Sequence, residues 1–291
     1  MYHIQKFEDV VCVVFRNSAT CYDPNCYDYF MRQLTNHIYC MNADARTDQP
    51  FVYYIKGCRF SLLVDAGNSP ENYRRLLSKL EEAGLPEPDL AVLTHWHWDH
   101  TFGVCAAECP VIASEETARI LTRVQTWKWD DVSMRKRLET GEDIPFTYEC
   151  MKAQYSDTEK IKVKLPDITF ETDMKINLGD VTCILHHRDS PHTRDAVMIL
   201  VRDDDVLIGG DAHYEDYYDN DSRYDRRRLA DFIQYLREES FSLYFKGHDA
   251  PGIGKDELLM FLTDELKNAV CSRGSVRPDY QERAVGKTVI S

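Results

Sequence analysis

Thr94-His95-Trp96-His97-Trp98-Asp99-His100 sets three histidines and one aspartate into six consecutive positions, His95 to His100. Four ligand-type side chains packed this closely repel or clash unless something collects them. Imidazole nitrogens with a carboxylate oxygen suit a divalent metal such as zinc, manganese or iron. The short apolar run Leu90-Ala91-Val92-Leu93 precedes the cluster and reads as a buried strand. The ligands then occupy the loop leaving the carboxyl end of that strand, where α/β folds carry their chemistry.

The neighbouring sequence extends the same rhythm. Apolar runs over 9–15, 51–55 and 60–64 predict strands, and the last of them enters the tight turn Asp65-Ala66-Gly67. Ser69 is a natural N-cap with Pro70 at the first helical position. Tyr73, Leu76, Leu77 and Leu80 follow at helical spacing, and Gly84 stops the helix. A strand is expected over 110–113, with Ser114 capping the next helix. Beyond residue 165 the spacing predicts strands over 168–171, 181–186, 196–201, 206–209 and 242–245, and helices over 227–237 and 255–270. Strand–helix–strand order in both halves implies two sheets with helices outside. The segment 124–165 is polar and aromatic without strand alternation. It is expected to be a helical or irregular insertion acting as a lid or substrate wall within one domain spanning 1–291. A loosely held tail is expected after residue 271.

Three further positions share the pattern of a ligand-type residue directly after a strand, with glycine or proline beside it. They are His192 in Ser190-Pro191-His192-Thr193, Asp211 after Gly209-Gly210, and His248 after Gly247. Several other residues lie close to these motifs. Tyr214, His187 and Trp98 are candidate substrate contacts; Tyr217, Tyr218 and His186 are weaker ones. Trp96 and Trp98 are expected to wedge the ligand loop in place. His213 reads as solvated, and Arg226-Arg227-Arg228 as a solvated helix face.

Composition bounds the partners. With 291 residues, 43% of them hydrophobic, the chain can bury a full core. A net charge of −14, from 35 basic and 49 acidic residues, repels phosphate backbones and argues against nucleic acid. No run approaches the ~18 apolar residues of a membrane span. The ten cysteines are scattered without a C-x-x-C pair, as expected for free thiols in a reducing cytoplasm. A small-molecule substrate is therefore expected. Nothing in the sequence demands a homodimer, although one is compatible with it.

The ordered motifs Asp65-Ala66-Gly67, His95-x-His97-x-Asp99-His100, His192, Gly210-Asp211 and Gly247-His248 resemble the metallo-β-lactamase superfamily over about residues 50 to 265. The resemblance implies an αββα sandwich of two mixed β-sheets with helices on the outer faces. It implies one metal on His95, His97 and His192 and a second on Asp99, His100 and His248, with Asp211 bridging; zinc fits best. Asp65 corresponds to a position that braces the ligand loop without binding metal. Water activated between two ions would attack an ester, thioester, lactone or phosphodiester bond, with Asp99 and Asp211 as catalytic carboxylates.

Two departures stand out. Pro191 replaces the glycine common before the histidine, and Phe102 precedes Gly103 where small residues are usual, which predicts a bulkier site wall. Asp211 disfavours β-lactam hydrolysis and points towards the branch of glyoxalase II-like thioesterases, lactonases and phosphodiesterases. A mononuclear-iron oxidoreductase of the same fold, similar to sulfur dioxygenases, is the competing expectation.

Overall fold

The computed structural model describes residues 31–218, 223–249 and 251–270 in full. It also gives the backbone of a three-stranded antiparallel sheet, β1 (His3–Phe7), β2 (Val10–Phe15) and β3 (Ser18–Tyr22). The expected tail after residue 271 lies outside the described residues.

Two mixed sheets form the body. The first contains β4 (Arg32–Gln33), β5 (Ile38–Met41), β6 (Val52–Lys56), β7 (Ser61–Val64), β8 (Leu90–Val92), β9 (Val111–Ser114) and β10 (Ile168–Phe170). Its order is β10-β9-β8-β7-β6-β5-β4, parallel from β10 to β7 and antiparallel from β7 to β4. The second contains β11 (Asp173–Asn177), β12 (Thr182–His187), β13 (Val197–Val201), β14 (Val206–Gly210), β15 (Leu243–Lys246) and β16 (Gly252–Gly254), in sequential order, with only β14 and β15 parallel.

Side-chain alternation along the strands explains why the sheets stack. In β13, Val197, Ile199 and Val201 face the opposing sheet, while Met198 and Leu200 face outward. In β7, Leu62 and Val64 point to the inter-sheet layer and Leu63 to the other face. Both faces of these strands are buried, so they read in sequence as continuous apolar runs rather than alternating ones. Helices cover both outer faces, giving the αββα sandwich. On the first sheet lie α1 (Pro70–Glu82), α3 (Glu115–Val124), α4 (Asp131–Thr140) and α5 (Pro145–Gln154), and on the second α6 (Arg226–Glu238) and α7 (Lys255–Asn268). A single four-residue turn, α2 (Trp98–Thr101), carries half of the ligand loop.

Local signals set the helix starts. Ser69 Oγ accepts from Asn72 N with Pro70 in the first turn, Ser114 Oγ accepts from Thr117 N, and Asp225 caps α6 through Arg228 N. The 124–165 segment folds as α4, α5 and a short 3₁₀ turn, Thr158–Lys160. Strands β1, β3, β4, β5, β11 and β16 escaped the sequence pattern. Among β11 residues only Met174 and Ile176 pack against the core, and β16 is Gly-Ile-Gly.

The basic run is largely the solvated face expected, with Arg226 and Arg227 exposed and Arg228 half-buried. Arg228 pairs with Asp189 and Asp216, and Arg226 donates to the Ala269 carbonyl at the end of α7. Cys40, Cys58, Cys105, Cys109, Cys150 and Cys183 are free thiols; Cys12, Cys21, Cys26 and Cys271 lie outside the residues described with side chains. No helix among the described residues is long and apolar enough to cross a membrane.

Candidate metal centre

The site is assembled where strand ends from both sheets meet. After β8 the chain bends through Thr94, His95 and Trp96, and His95 and His97 enter the same cluster. It then turns into α2, which redirects Asp99 and His100. One hexapeptide thereby supplies two separate clusters because its backbone passes from a bend into a helical turn in the middle. His95, His97 and His192 form the first, and Asp99, His100, Asp211 and His248 the second. Within each cluster one donor atom per residue lies within 4.8 Å of all the others.

Asp211 lies between the clusters. Its Oδ2 is 3.2 Å from His100 Nε2 and 3.5 Å from His248 Nε2 on one side, and 3.7 Å from His192 Nε2 on the other. Asp99 Oδ2 is 3.0 Å from His100 Nε2 and 3.2 Å from His248 Nε2. His97 Nδ1 lies 3.0 Å from His192 Nε2.

Outer hydrogen bonds fix which nitrogen of His95, His100 and His192 faces inward. His192 Nδ1 lies 2.9 Å from the Glu215 carbonyl, leaving Nε2 for the site. Thr94 Oγ1 lies 3.0 Å from His95 Nδ1 and donates to Asp65 Oδ2 at 2.8 Å. Asp65 Oδ2 also lies 2.8 Å from His100 Nδ1, and Asp65 Oδ1 accepts from Thr94 N at 2.8 Å. Asp65 adopts a left-handed backbone, φ 62°, which is costly for a residue with a Cβ and is held by these three bonds. Asp65→Ala is expected to weaken metal affinity about 10- to 100-fold while the ligands themselves remain, measured by competition with a chelating dye.

The loop bearing His192 is tied to α3. Thr193 Oγ1 donates to Asp195 Oδ1 at 2.5 Å, and Thr117 Oγ1 donates to Asp195 Oδ2 at 2.8 Å. Asp195 is wholly buried, and no motif near it pointed to this role.

The electrostatics of the centre call for a cation. Burial, reinforced by neighbouring imidazoles, holds His95 well below the usual histidine range and His97 down to about 3, so their nitrogens keep free lone pairs. Burial would also depress His100 and His248. For His100, Asp99, Asp211 and Asp65 outweigh it, and for His248, chiefly Asp211 and Asp99; both rings are held well above the ordinary range. Against burial, His100 and His248 keep Asp99 and Asp211 ionised. Positive charge at this point is thus supplied by protons wherever metal does not supply it. His95 Nε2 and Asp211 Oδ1 are buried without a hydrogen-bond partner, as expected of donor atoms directed at an ion.

The clusters floor an open cavity of about 780 Å³. Ile144, Pro145 and Phe146 of the 124–165 segment form an apolar wall, with Trp98, Tyr217 and Tyr218 nearby. Tyr218 also packs on Trp96 and His97, and its hydroxyl lies 3.2 Å from Thr147 Oγ1, linking the inserted segment to the ligand loop. Tyr214 lines the cavity and donates its hydroxyl to Asp249 Oδ2 at 2.8 Å. Asp48 and Asp249, both with left-handed backbones, also reach the cavity; neither carries a sequence signal that would single it out.

Three expectations are corrected. His187 does not reach the cavity: its ring lies against the Glu171 and Arg194 carbonyls at 2.6 and 3.3 Å, because β12 turns it away from the His192 loop. His213 is buried rather than solvated, since the chain after Asp211 folds back beneath Tyr214 and Tyr244. Phe102 does not thicken the cavity wall. It packs into the core beside Trp98 and Trp129, and Gly103 beside it approaches Ala66 so closely that a Cβ would lie 1.9 Å from the Ala66 carbonyl oxygen.

Comparison with known proteins agrees with this geometry. Residues 45–248 match the model of the metallo-beta-lactamase superfamily. The chain belongs to that superfamily. A curated relative, acyl-coenzyme A thioesterase MBLAC2 of Gallus gallus, is 26% identical over 170 residues, 56% of this chain and 57% of the relative. The match therefore spans little more than half of that protein. Among solved structures, a metallo-beta-lactamase from Pontibacter korlensis superposes with a TM-score of 0.57 at 19% identity, covering 82% of this chain and 98% of its own. The DIM-1 metallo-beta-lactamase gives 0.57 at 15% identity over 82% and 97%. At such identities these structures speak for the fold alone.

Proposed function

We propose that the chain is a dinuclear metal-dependent hydrolase acting on an activated acyl ester, with a thioester as the leading substrate class. The observation that carries this reading is Asp211, whose carboxylate reaches imidazoles of both clusters on the floor of an open cavity. His95, His97 and His192 would hold one divalent ion, and Asp99, His100 and His248 the other. Two such ions, when bound, supply a water of lowered pKa and an electrophilic contact for a carbonyl oxygen.

The protein's own groups do the rest. Asp99 is placed to take the proton of the attacking water. As the acyl carbon gains its bond to the water oxygen, the carbon–sulfur bond breaks and that proton passes to the departing thiolate. The wall of Ile144, Pro145 and Phe146 accepts an apolar acyl group; Phe146 is 57% exposed and stands ready to be covered. Apart from the ions that the two clusters would hold, this cavity offers a phosphate no cation, since no lysine or arginine lines it, and Asp249 adds negative charge. The thioesterase relative supports the same choice.

The test is elemental analysis of the purified protein together with turnover of thioesters, esters, lactones and phosphodiesters. About two zinc or manganese ions per chain are expected, with thioester cleavage that is lost on chelation and restored by metal. One iron per chain, with oxygen uptake on thiols and no hydrolysis, would instead establish the oxidoreductase.

A further inference from the structure

No lysine or arginine lines the catalytic cavity, yet a second cavity beside it has both. This cavity, of about 940 Å³, opens on the helix side of the second sheet and shares Tyr214 and Asp249 with the first. Arg237 from the last turn of α6 and Lys246 from the end of β15 line it, and neither makes an ion pair with any described residue. The third cation, Lys267, is neutralised by Asp264 at 2.7 Å. Of the other acids here, Asp249 receives the Tyr214 hydroxyl, which leaves Glu257 as the remaining carboxylate.

Two more features distinguish this cavity from ordinary surface. His213 is 3% exposed and its Nδ1 has no hydrogen-bond partner, an unsatisfied polar atom in the cavity lining. Met260 and Phe261 of α7 line the same cavity and are 70% and 45% exposed, offering a large apolar surface. Unpaired cations beside exposed apolar and aromatic side chains match a ligand with phosphates at one end and a flat ring at the other.

We propose that this second cavity docks the phosphorylated nucleotide of a coenzyme A thioester, whose acyl end lies in the catalytic cavity. The proposal rests on the hydrolase reading. It resolves a mismatch in that reading, because beyond the ions themselves the catalytic cavity has no lysine or arginine to hold the several phosphates of such a carrier. The arm joining the two ends would cross the shared Tyr214 and Asp249. Arg237 and Lys246 would contact phosphate oxygens, and Phe261 the adenine face.

The test compares an acyl-coenzyme A with the matching acyl-pantetheine, which lacks the nucleotide, on the metal-loaded enzyme. Adenosine bisphosphate binding is followed separately by calorimetry at two salt concentrations. The expected result is a KM about tenfold or more lower for the full carrier, with similar kcat, and salt-sensitive nucleotide binding. In the Arg237→Ala/Lys246→Ala double variant the KM ratio should collapse towards unity, and Lys246→Arg should largely retain it. Equal KM values for the two substrates, or nucleotide binding unchanged in the double variant, would overturn the subsite. Failure of the enzyme to cleave either thioester would sink the thioester reading instead, and calorimetry would still decide whether the cavity binds the nucleotide.

Discussion

Replacing Asp211 with alanine is expected to abolish turnover, with kcat falling on the order of 10⁴-fold, because residues that act as a unit lose their function together. The carboxylate lies within 3.2 to 3.7 Å of His100, His248 and His192, so its removal deprives both clusters of their common anion. Metal content measured by elemental analysis should fall in parallel, and added zinc should no longer raise the melting temperature. Asp211→Asn keeps the shape but not the charge and should resemble the alanine variant. If Asp211→Asn retained full metal and full activity, the shared-carboxylate account would be wrong.

A second large effect is expected where there is no functional side chain. Gly247 sits between β15 and His248, and a Cβ built on it would lie 2.0 Å from Asp211 Oδ1 and 3.1 Å from His100 Cε1. Its amide donates to the Gly210 carbonyl at 3.0 Å, and its carbonyl accepts from Phe51 N at 2.6 Å, so the backbone has little room to retreat. Gly247→Ala should therefore displace the Asp211 carboxylate and cost about 100-fold or more in kcat, as misplacement of about 1 Å does elsewhere. The variant keeps every ligand. A fold intact by circular dichroism with reduced metal affinity is the expected outcome; wild-type kinetics would show that the close approach does not matter.

These two residues mark how much of the site was legible in the sequence. The ligands announced themselves because four of them crowd into one hexapeptide and the other three stand beside glycine or proline in turns after predicted strands. Helix caps were legible for the same reason, since Ser69, Ser114 and Pro70 act through bonds or constraints no more than three residues away. The buried strands were legible as apolar runs, whereas β11 and β16, at the margins of the second sheet, expose or lack the side chains that would betray them.

Other features were settled only by residues distant along the chain. Phe102 read as a wall residue, yet Trp129, 27 positions on, draws it into the core. His187 and His192 are close in sequence, but β12 and the loop after it direct them to different surroundings. Asp195 braces the His192 loop through Thr117, a contact made across 78 positions. The sequence by itself determined the donor set and the alternation of layers, because ligand chemistry and strand periodicity are local properties. Which donors share an ion, which walls meet the substrate and which cations stand unpaired beside it were decided by tertiary structure. Those properties depend on distances of a few ångströms between segments that only packing brings together.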